Sequence, residues 1–255
     1  MSALVLKLIA CVTMLIDHIG YCTPGATWMR IIGRVAFPIY VYLMTEGLRH
    51  SSNRLRYALR LLLFAVLSQV PFGLLVAKDP GFPEGSVMVT LLLAYLSVWL
   101  VDVCRGRKVL RVLCWLPVLG LCYVMHRDWI PCDYGARGVL LAQAFYWLSP
   151  LARGKKRAAG ALLLFAGAFC ATFYGTLLTV GESLLRQLSG VSRNPIQIPG
   201  WTLLQAFSLM SLPLILLYNG RKGWCPASKA GRKALQYAFY AFYPVHMLIL
   251  YFTIR

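Results

Sequence analysis

The sequence predicts an all-α fold, a polytopic membrane helix bundle of about nine transmembrane helices in a single domain over residues 1–255. Three observations lead there. Of the residues, 59% are hydrophobic and only 13% are charged, about half the charged share of a soluble domain. Apolar runs of near-spanning length recur along the whole chain, and roughly 20 apolar residues cover a 30 Å hydrocarbon core. The 26 basic residues, set against 8 acids, gather in every second loop.

The first predicted span is Leu4–Tyr21, LVLKLIACVTMLIDHIGY. No basic segment precedes its apolar run, so it reads as a retained helix rather than a cleaved signal. A Pro/Gly turn, CTPGAT, leads to the second span, Met29–Leu48, which Pro38 should kink. Arg30 and Arg34 are i, i+4 neighbours there. The third span, Tyr57–Ala77, contains Ser68-Gln69-Val70-Pro71-Phe72. The fourth is Ser86–Val103, and the fifth, Val109–Met125, is interrupted by Pro117. The sixth, Asp133–Leu148, opens with CDYGARG, and the seventh is Ala158–Val180. The eighth, Trp201–Tyr218, holds Gln205 and Pro213. The ninth, Ala234–Ile254, carries Tyr243-Pro244-Val245-His246.

Loop charge sets the orientation. Four alternate loops hold Arg49, Arg54, Arg56 and Arg60; Arg105, Arg107, Lys108 and Arg111; Arg153, Lys155, Lys156 and Arg157; and Arg221, Lys222, Lys229, Arg232 and Lys233. The other loops hold most of the acids: Asp79, Glu84, Asp128, Asp133 and Glu182. Lys and Arg stay on the cytoplasmic side. The N-terminus is therefore expected in the cytoplasm and the C-terminus outside, and the protein in the cytoplasmic (inner) membrane as a multi-pass chain. The net charge of +18 is then mainly a matter of topology, with attraction of anionic lipid of the bilayer or of an anionic cofactor as an addition, and no nucleic-acid partner is expected. The eight cysteines have no CxxC pair and no metal-ligand spacing, so no metal site is expected. Cys22 and Cys132 share the outer side, where a disulfide is an open alternative.

Chemistry is expected at the ionisable groups inside the spans, which are costly and mark functional sites. Lys7 and His18 lie 11 residues apart, close to three full turns, so both face one side of the first helix. About 16 Å of helix axis separates them. That stripe suits a ligand threaded along a polar slot, whereas the plainer alternative is a snorkelling Lys7 and an interfacial His18. By depth, Asp17, His18, Arg34, Gln69, Asp133 and His246 converge in the outer half, with Tyr243 one turn before His246. Arg34 suits an ion pair with Asp17 or Asp133, a substrate role, or both. Asp133 and Arg137, at a helix start, suit capping, and Asp133 is also a candidate for substrate binding. Glu46, with Arg49 and His50 at i+3 and i+4, reads as a surface pair. His246 reads either as a core hydrogen-bonding histidine or as a substrate ligand.

Six segments together carry a resemblance: LIDHIG (15–20), GRVAFPIYVYLMTEGLRH (33–50), SQVPF (68–72), DYGARGVLL (133–141), PLILLYNGRKG (213–223) and YAFYAFYPVHMLILY (237–251). In this order they resemble the TraX family, multi-span inner-membrane proteins whose founding member is associated with N-terminal acetylation of conjugative pilin. The layout is also similar to that of transmembrane acyltransferases of cell-surface polysaccharides. Those carry a basic residue, ten intervening positions and a histidine in an early span, and Lys7 and His18 match that spacing.

The resemblance implies an acetyltransferase that holds no bound cofactor and uses acetyl-CoA as cytoplasmic acyl donor. The acceptor would be reached from outside, as a protein N-terminus or a surface glycan. His18, Asp17 and Arg34 would then be catalytic, and Lys7 would bind the donor. Gln69, Asp133, Tyr243 and His246 would bind substrate, with Arg34 or Gln69 placed to stabilise an oxyanion. A transporter or flippase without covalent chemistry, and a non-catalytic pilus or secretion assembly subunit, remain the alternatives.

Overall fold

The computed structural model describes residues 1–77, 84–154, 157–189 and 200–254. Asp79, Lys155 and Lys156, counted above among the loop charges, lie outside them, as does most of the outer loop before Trp201. Helices fall at every predicted segment. In chain order they are α1 (Ala3–Cys22), α2 (Thr27–Gly33), α3 (Ala36–His50), α4 (Arg54–Phe72), α5 (Val87–Val103), α6 (Lys108–Leu113), α7 (Trp115–His126), α8 (Gly135–Leu148), α9 (Arg157–Leu188), α10 (Gly200–Ala206), α11 (Ser211–Leu216) and α12 (Lys229–Ile254). Six stretches are long and apolar enough to cross a membrane: Ala3–Cys22, Thr27–His50, Arg54–Val76, Lys108–His126, Arg157–Leu188 and Lys229–Ile254. Val87–Val103 and Thr202–Leu216 are shorter apolar helices. The chain is a membrane protein.

Proline explains where the helices break. A proline cannot donate to the carbonyl four residues earlier, so the ladder fails there. The α2/α3 break at Arg34-Val35 precedes Pro38, and the α6/α7 break at Cys114 precedes Pro117. The 3-10 turn Phe207–Met210 between α10 and α11 precedes Pro213. Pro71 is followed by a π turn at Gly73–Ala77. Two starts are capped by side chains: Asn53 Oδ1 accepts from the Arg56 N–H at 2.8 Å, and Ser2 Oγ accepts from the Val5 N–H.

The stretch from α2 through α3 is the most buried of the six, and α9 the least. Ile39, Val41 and Tyr42 of α3 have no exposed surface. Around α3 pack α1, α5, α8 and α11, with α12 against α1 and α4. α8 approaches α5 closely at Gly138, where a Cβ would lie 2.4 Å from Thr90 Cγ2. α9 runs eight residues past the predicted end at Val180. Its 32 residues extend about 48 Å, well beyond a hydrocarbon core. The sequence from Gly181 to Leu188, GESLLRQL, holds no proline and is rich in good helix formers, so the helix continues through it.

Charged residues at the start of α4 and the end of α3 tie the bundle together. Glu46 is buried and pairs with Arg49 at 3.2 Å and Arg153 at 2.9 Å, with His50 Nε2 at 3.9 Å. The surface pair expected at Glu46 is thus an interior bridge, because α8 and the turn Leu151–Arg153 cover the end of α3. Arg49 also donates to Ser149 Oγ and to the Tyr146 carbonyl. Tyr146 donates in turn to Asp102, which pairs with Arg54.

Candidate active site

α1 places Lys7, Met14, Asp17, His18 and Tyr21 along one wall of a cavity of about 560 Å³. The lining begins at Ala3 and ends at Tyr21, which is about 27 Å of helix. Lys7 therefore does not snorkel to lipid. Its ammonium sits over the Phe239 ring, 5.3 Å from the centroid. Facing walls come from α3 (Tyr40, Leu43, Met44), α4 (Tyr57, Arg60), α5 (Val87, Met88, Leu91) and α12 (Gln236, Tyr240, Tyr243).

The two ends differ in charge. At the Ala3 end the lining carries Lys7, Arg60, Lys222 and Arg232, with His50 and the exposed Trp224. Lys222 is brought there by a clasp: Ala3 and Leu4 donate backbone N–H groups to the carbonyls of Arg221 and Lys222 at 2.9 and 3.1 Å. Gly223 makes the clasp possible. Its φ is +85°, and a Cβ there would lie 2.5 Å from Ser2 Oγ.

At the Tyr21 end two arginines and two aspartates meet. Arg34 Nη2 donates to Asp17 Oδ1 and Oδ2 at 2.7 and 2.6 Å. Arg30 Nη1 donates to Asp17 Oδ2 at 2.9 Å and to its backbone carbonyl at 3.1 Å. The α2/α3 break delivers both guanidiniums, and Gly33 lets the helices touch: a Cβ there would lie 2.1 Å from Asp17 Cβ.

Asp133 lines the same end without an ion pair among the described residues. Its side chain is exposed at the cavity. The Tyr134 ring stacks on Phe37 with centroids 3.5 Å apart. Asp133 does not cap α8, which begins at Gly135 with no side-chain cap.

His18 is half-buried and lines the cavity. Its Nδ1 is 2.7 Å from His246 Nε2, and His246 Nδ1 is 2.6 Å from the Phe242 carbonyl. His246 is buried behind His18 and takes no part in the lining, so the substrate contact expected of it is replaced by a contact to His18.

Gln69 also stands elsewhere. Its amide donates to the Glu84 carbonyl at 2.5 Å and accepts from the Ser86 N–H at 3.2 Å. It clamps the segment that bridges to residues 131–133, where the Gly85 N–H meets the Pro131 carbonyl and the Asp133 N–H meets the Gly85 carbonyl. Gln69 thus bears on Asp133 through backbone and offers no donor to the cavity. The disulfide left open between Cys22 and Cys132 is not formed.

The structure therefore brings Lys7, Asp17, His18, Arg34, Asp133 and Tyr243 to one cavity and leaves Gln69 and His246 outside its lining. The sequence reading gives Arg60, Lys222 and Arg232 to the basic cytoplasmic loops, as topology signals that can also attract an anionic cofactor, without placing them at a cavity, and it leaves Arg30 out of the site. The signal for part of this was present: Arg232, Gln236, Tyr240 and Tyr243 recur at helical spacing toward His246.

The family model described as TraX protein matches residues 2–254. The chain belongs to the TraX family. A relative within reach of this TraX-family chain is the probable fimbrial assembly protein FimC, serogroup H1, of Dichelobacter nodosus. It is 29% identical over 266 residues, covering 98% of this chain and 94% of the relative. No solved structure matches the chain.

Proposed function

We propose that this TraX-family protein is an inner-membrane acetyltransferase. It crosses the membrane nine times, with its N-terminus in the cytoplasm and its C-terminus outside. Acetyl-CoA enters at the basic end of the cavity, where Lys7, Arg60, Lys222 and Arg232 meet its phosphates. Its thioester arm extends along α1 to His18. The acceptor approaches from the Tyr21 end, as the N-terminal amine of a pilin-like protein or a surface glycan hydroxyl. The name carried by the Dichelobacter nodosus relative favours a pilus setting.

At the meeting point His18 acts as general base through Nε2, the nitrogen that His246 does not engage. The acceptor lone pair forms the new bond to the thioester carbon while its proton moves to Nε2. The C–S bond then breaks, and the thiolate recovers that proton. Arg30 and Arg34, already fixed by Asp17, offer guanidinium N–H groups to the developing oxyanion in a low-dielectric slot. Asp133 and Tyr243 line the acceptor side.

The observation that carries this reading is that Lys7 and His18 line one continuous cavity along α1. The test is purified protein with labelled acetyl-CoA and an acceptor peptide. Wild type should transfer label. His18→Ala should lose kcat by about 10²–10⁴-fold, the range of a removed general base. Lys7→Ala should raise the KM for acetyl-CoA with kcat little changed. Transfer untouched by His18→Ala would remove that residue from the mechanism. Absence of acetyl-CoA binding and turnover, in cells whose pilus assembly still needs the protein, would favour the non-catalytic assembly subunit that the relative's name also fits.

A further inference from the structure

His246 has a role that neither its burial nor its sequence position suggests. Its Nδ1 lies 2.6 Å from the Phe242 carbonyl, one turn earlier on α12. A carbonyl only accepts, so His246 Nδ1 must carry the hydrogen. In the neutral ring Nε2 is then a bare lone pair. That lone pair sits 2.7 Å from His18 Nδ1, which must therefore be the protonated nitrogen of His18. Nε2 of His18 is left as the basic nitrogen, without a hydrogen-bond partner among the described residues. The opposite tautomer of His246 would set two lone pairs against each other at 2.6 Å.

The rest of the site holds His246 in this orientation. Its ring stacks on Phe242, with centroids 4.9 Å apart and planes 18° from parallel, and meets Tyr243 edge-on at 5.8 Å. His246 is 5% exposed, so no bulk water competes for Nε2. His18 meets it with ring centroids 4.9 Å apart.

We propose that His246 is the positioning residue of this site: anchored on the Phe242 carbonyl, it fixes His18 in the Nδ1–H tautomer, so that Nε2 faces substrate as a base. This rests on the reading of His18 as the base in acetyl transfer. During transfer the acceptor proton arrives at His18 Nε2 and leaves from it with the thiolate. His246 exchanges no proton, and its Nε2 accepts the Nδ1–H of the transient imidazolium. The same logic governs catalytic and metal-bound histidines, whose second nitrogen is fixed by an outer partner.

Two substitutions separate positioning from packing. His246→Asn puts an amide N–H near Nδ1, keeping the Phe242 anchor, and removes the acceptor for His18. His246→Gln puts an amide oxygen near Nε2 and restores that acceptor. With labelled acetyl-CoA, His246→Asn should lose kcat by about 10–100-fold, the usual cost of a lost outer partner, with KM within about threefold. His246→Gln should recover most of that loss.

Equal impairment of the two variants, or a loss confined to KM, would overturn the proposal. A second measurement needs no turnover: nitrogen NMR of histidine-labelled protein in nanodiscs should show His18 protonated at Nδ1 in wild type and a mixture of tautomers in His246→Asn. An Nε2–H tautomer in wild type would refute the positioning role. If wild type fails to transfer acetyl while this tautomer is present, the acetyltransferase reading falls and the histidine pairing stands.

Discussion

Replacing Gly33 by Ala tests whether the contact between α1 and α2 is as tight as the site requires. The added Cβ would lie 2.1 Å from Asp17 Cβ, 2.2 Å from Oδ1 and 2.4 Å from Cγ. Carbon atoms rest at about 3.5–4.0 Å, so the two helices must part by more than about 1 Å. Overpacking of this kind costs about 1–3 kcal/mol. The same displacement pulls the Asp17 carboxylate from Arg34, a contact of 2.6 Å between side chains only 12% and 8% exposed. Breaking a buried pair costs about 3–5 kcal/mol. The two effects share one movement and do not add, so a net loss of about 3 kcal/mol is expected.

Gly120 supplies the control. It lies inside α7 with open space where its Cβ would go, so Gly120→Ala should be neutral or stabilising by up to about 1 kcal/mol. Unfolding in mixed micelles of rising denaturing-detergent fraction reads both. Gly33→Ala should shift the midpoint down and reduce acetyl transfer, and Gly120→Ala should do neither. An unshifted Gly33→Ala protein would refute the close approach and with it the placement of Asp17.

Three further outcomes follow from the same geometry. Glu46→Ala leaves Arg49 and Arg153 without their shared carboxylate, and should destabilise by about 3 kcal/mol in the same assay, the low end for a buried pair because both guanidiniums are partly exposed; Glu46→Gln should lose clearly less. Asp133 lines the acceptor end of the cavity beside Asp17. For an ammonium-bearing acceptor peptide, Asp133→Asn should therefore raise KM with kcat little changed, as initial rates over a range of peptide concentrations would show. Gln69→Ala leaves the Ser86 N–H without its partner and should cost about 1–3 kcal/mol locally, seen as faster hydrogen exchange at residues 84–90 with His18 chemistry retained.

Much of the site was legible because helical periodicity is strict. Lys7 and His18 line one cavity because 11 residues is nearly three turns, and Asp17 meets Arg34 because both were placed at one depth. Proline positions foretold the breaks at Arg34-Val35 and Cys114, since each removes one known donor. Partners far apart in sequence were not legible. Depth brought His246 near His18, yet no pattern says that two rings 228 residues apart share a hydrogen bond. Glu46 looked like a surface residue because its partner Arg153 is 107 residues away. Gln69 was misjudged because its partners are backbone atoms, which carry no sequence signature. The basic loops are legible as orientation signals and as an attraction for an anionic cofactor, but which of their cations rim the cavity (Arg60, Lys222 and Arg232) is set by the tertiary fold.

The central claim is that a donor reaches His18 through the corridor along α1. Met14 lines that corridor between Lys7 and His18, so Met14→Trp would narrow it with both of those residues kept. Acetyl transfer from acetyl-CoA should then fall by at least tenfold, while a short acetyl thioester lacking the nucleotide should remain a substrate. A Met14→Trp protein, folded as wild type, that uses acetyl-CoA at the wild-type rate would contradict the account.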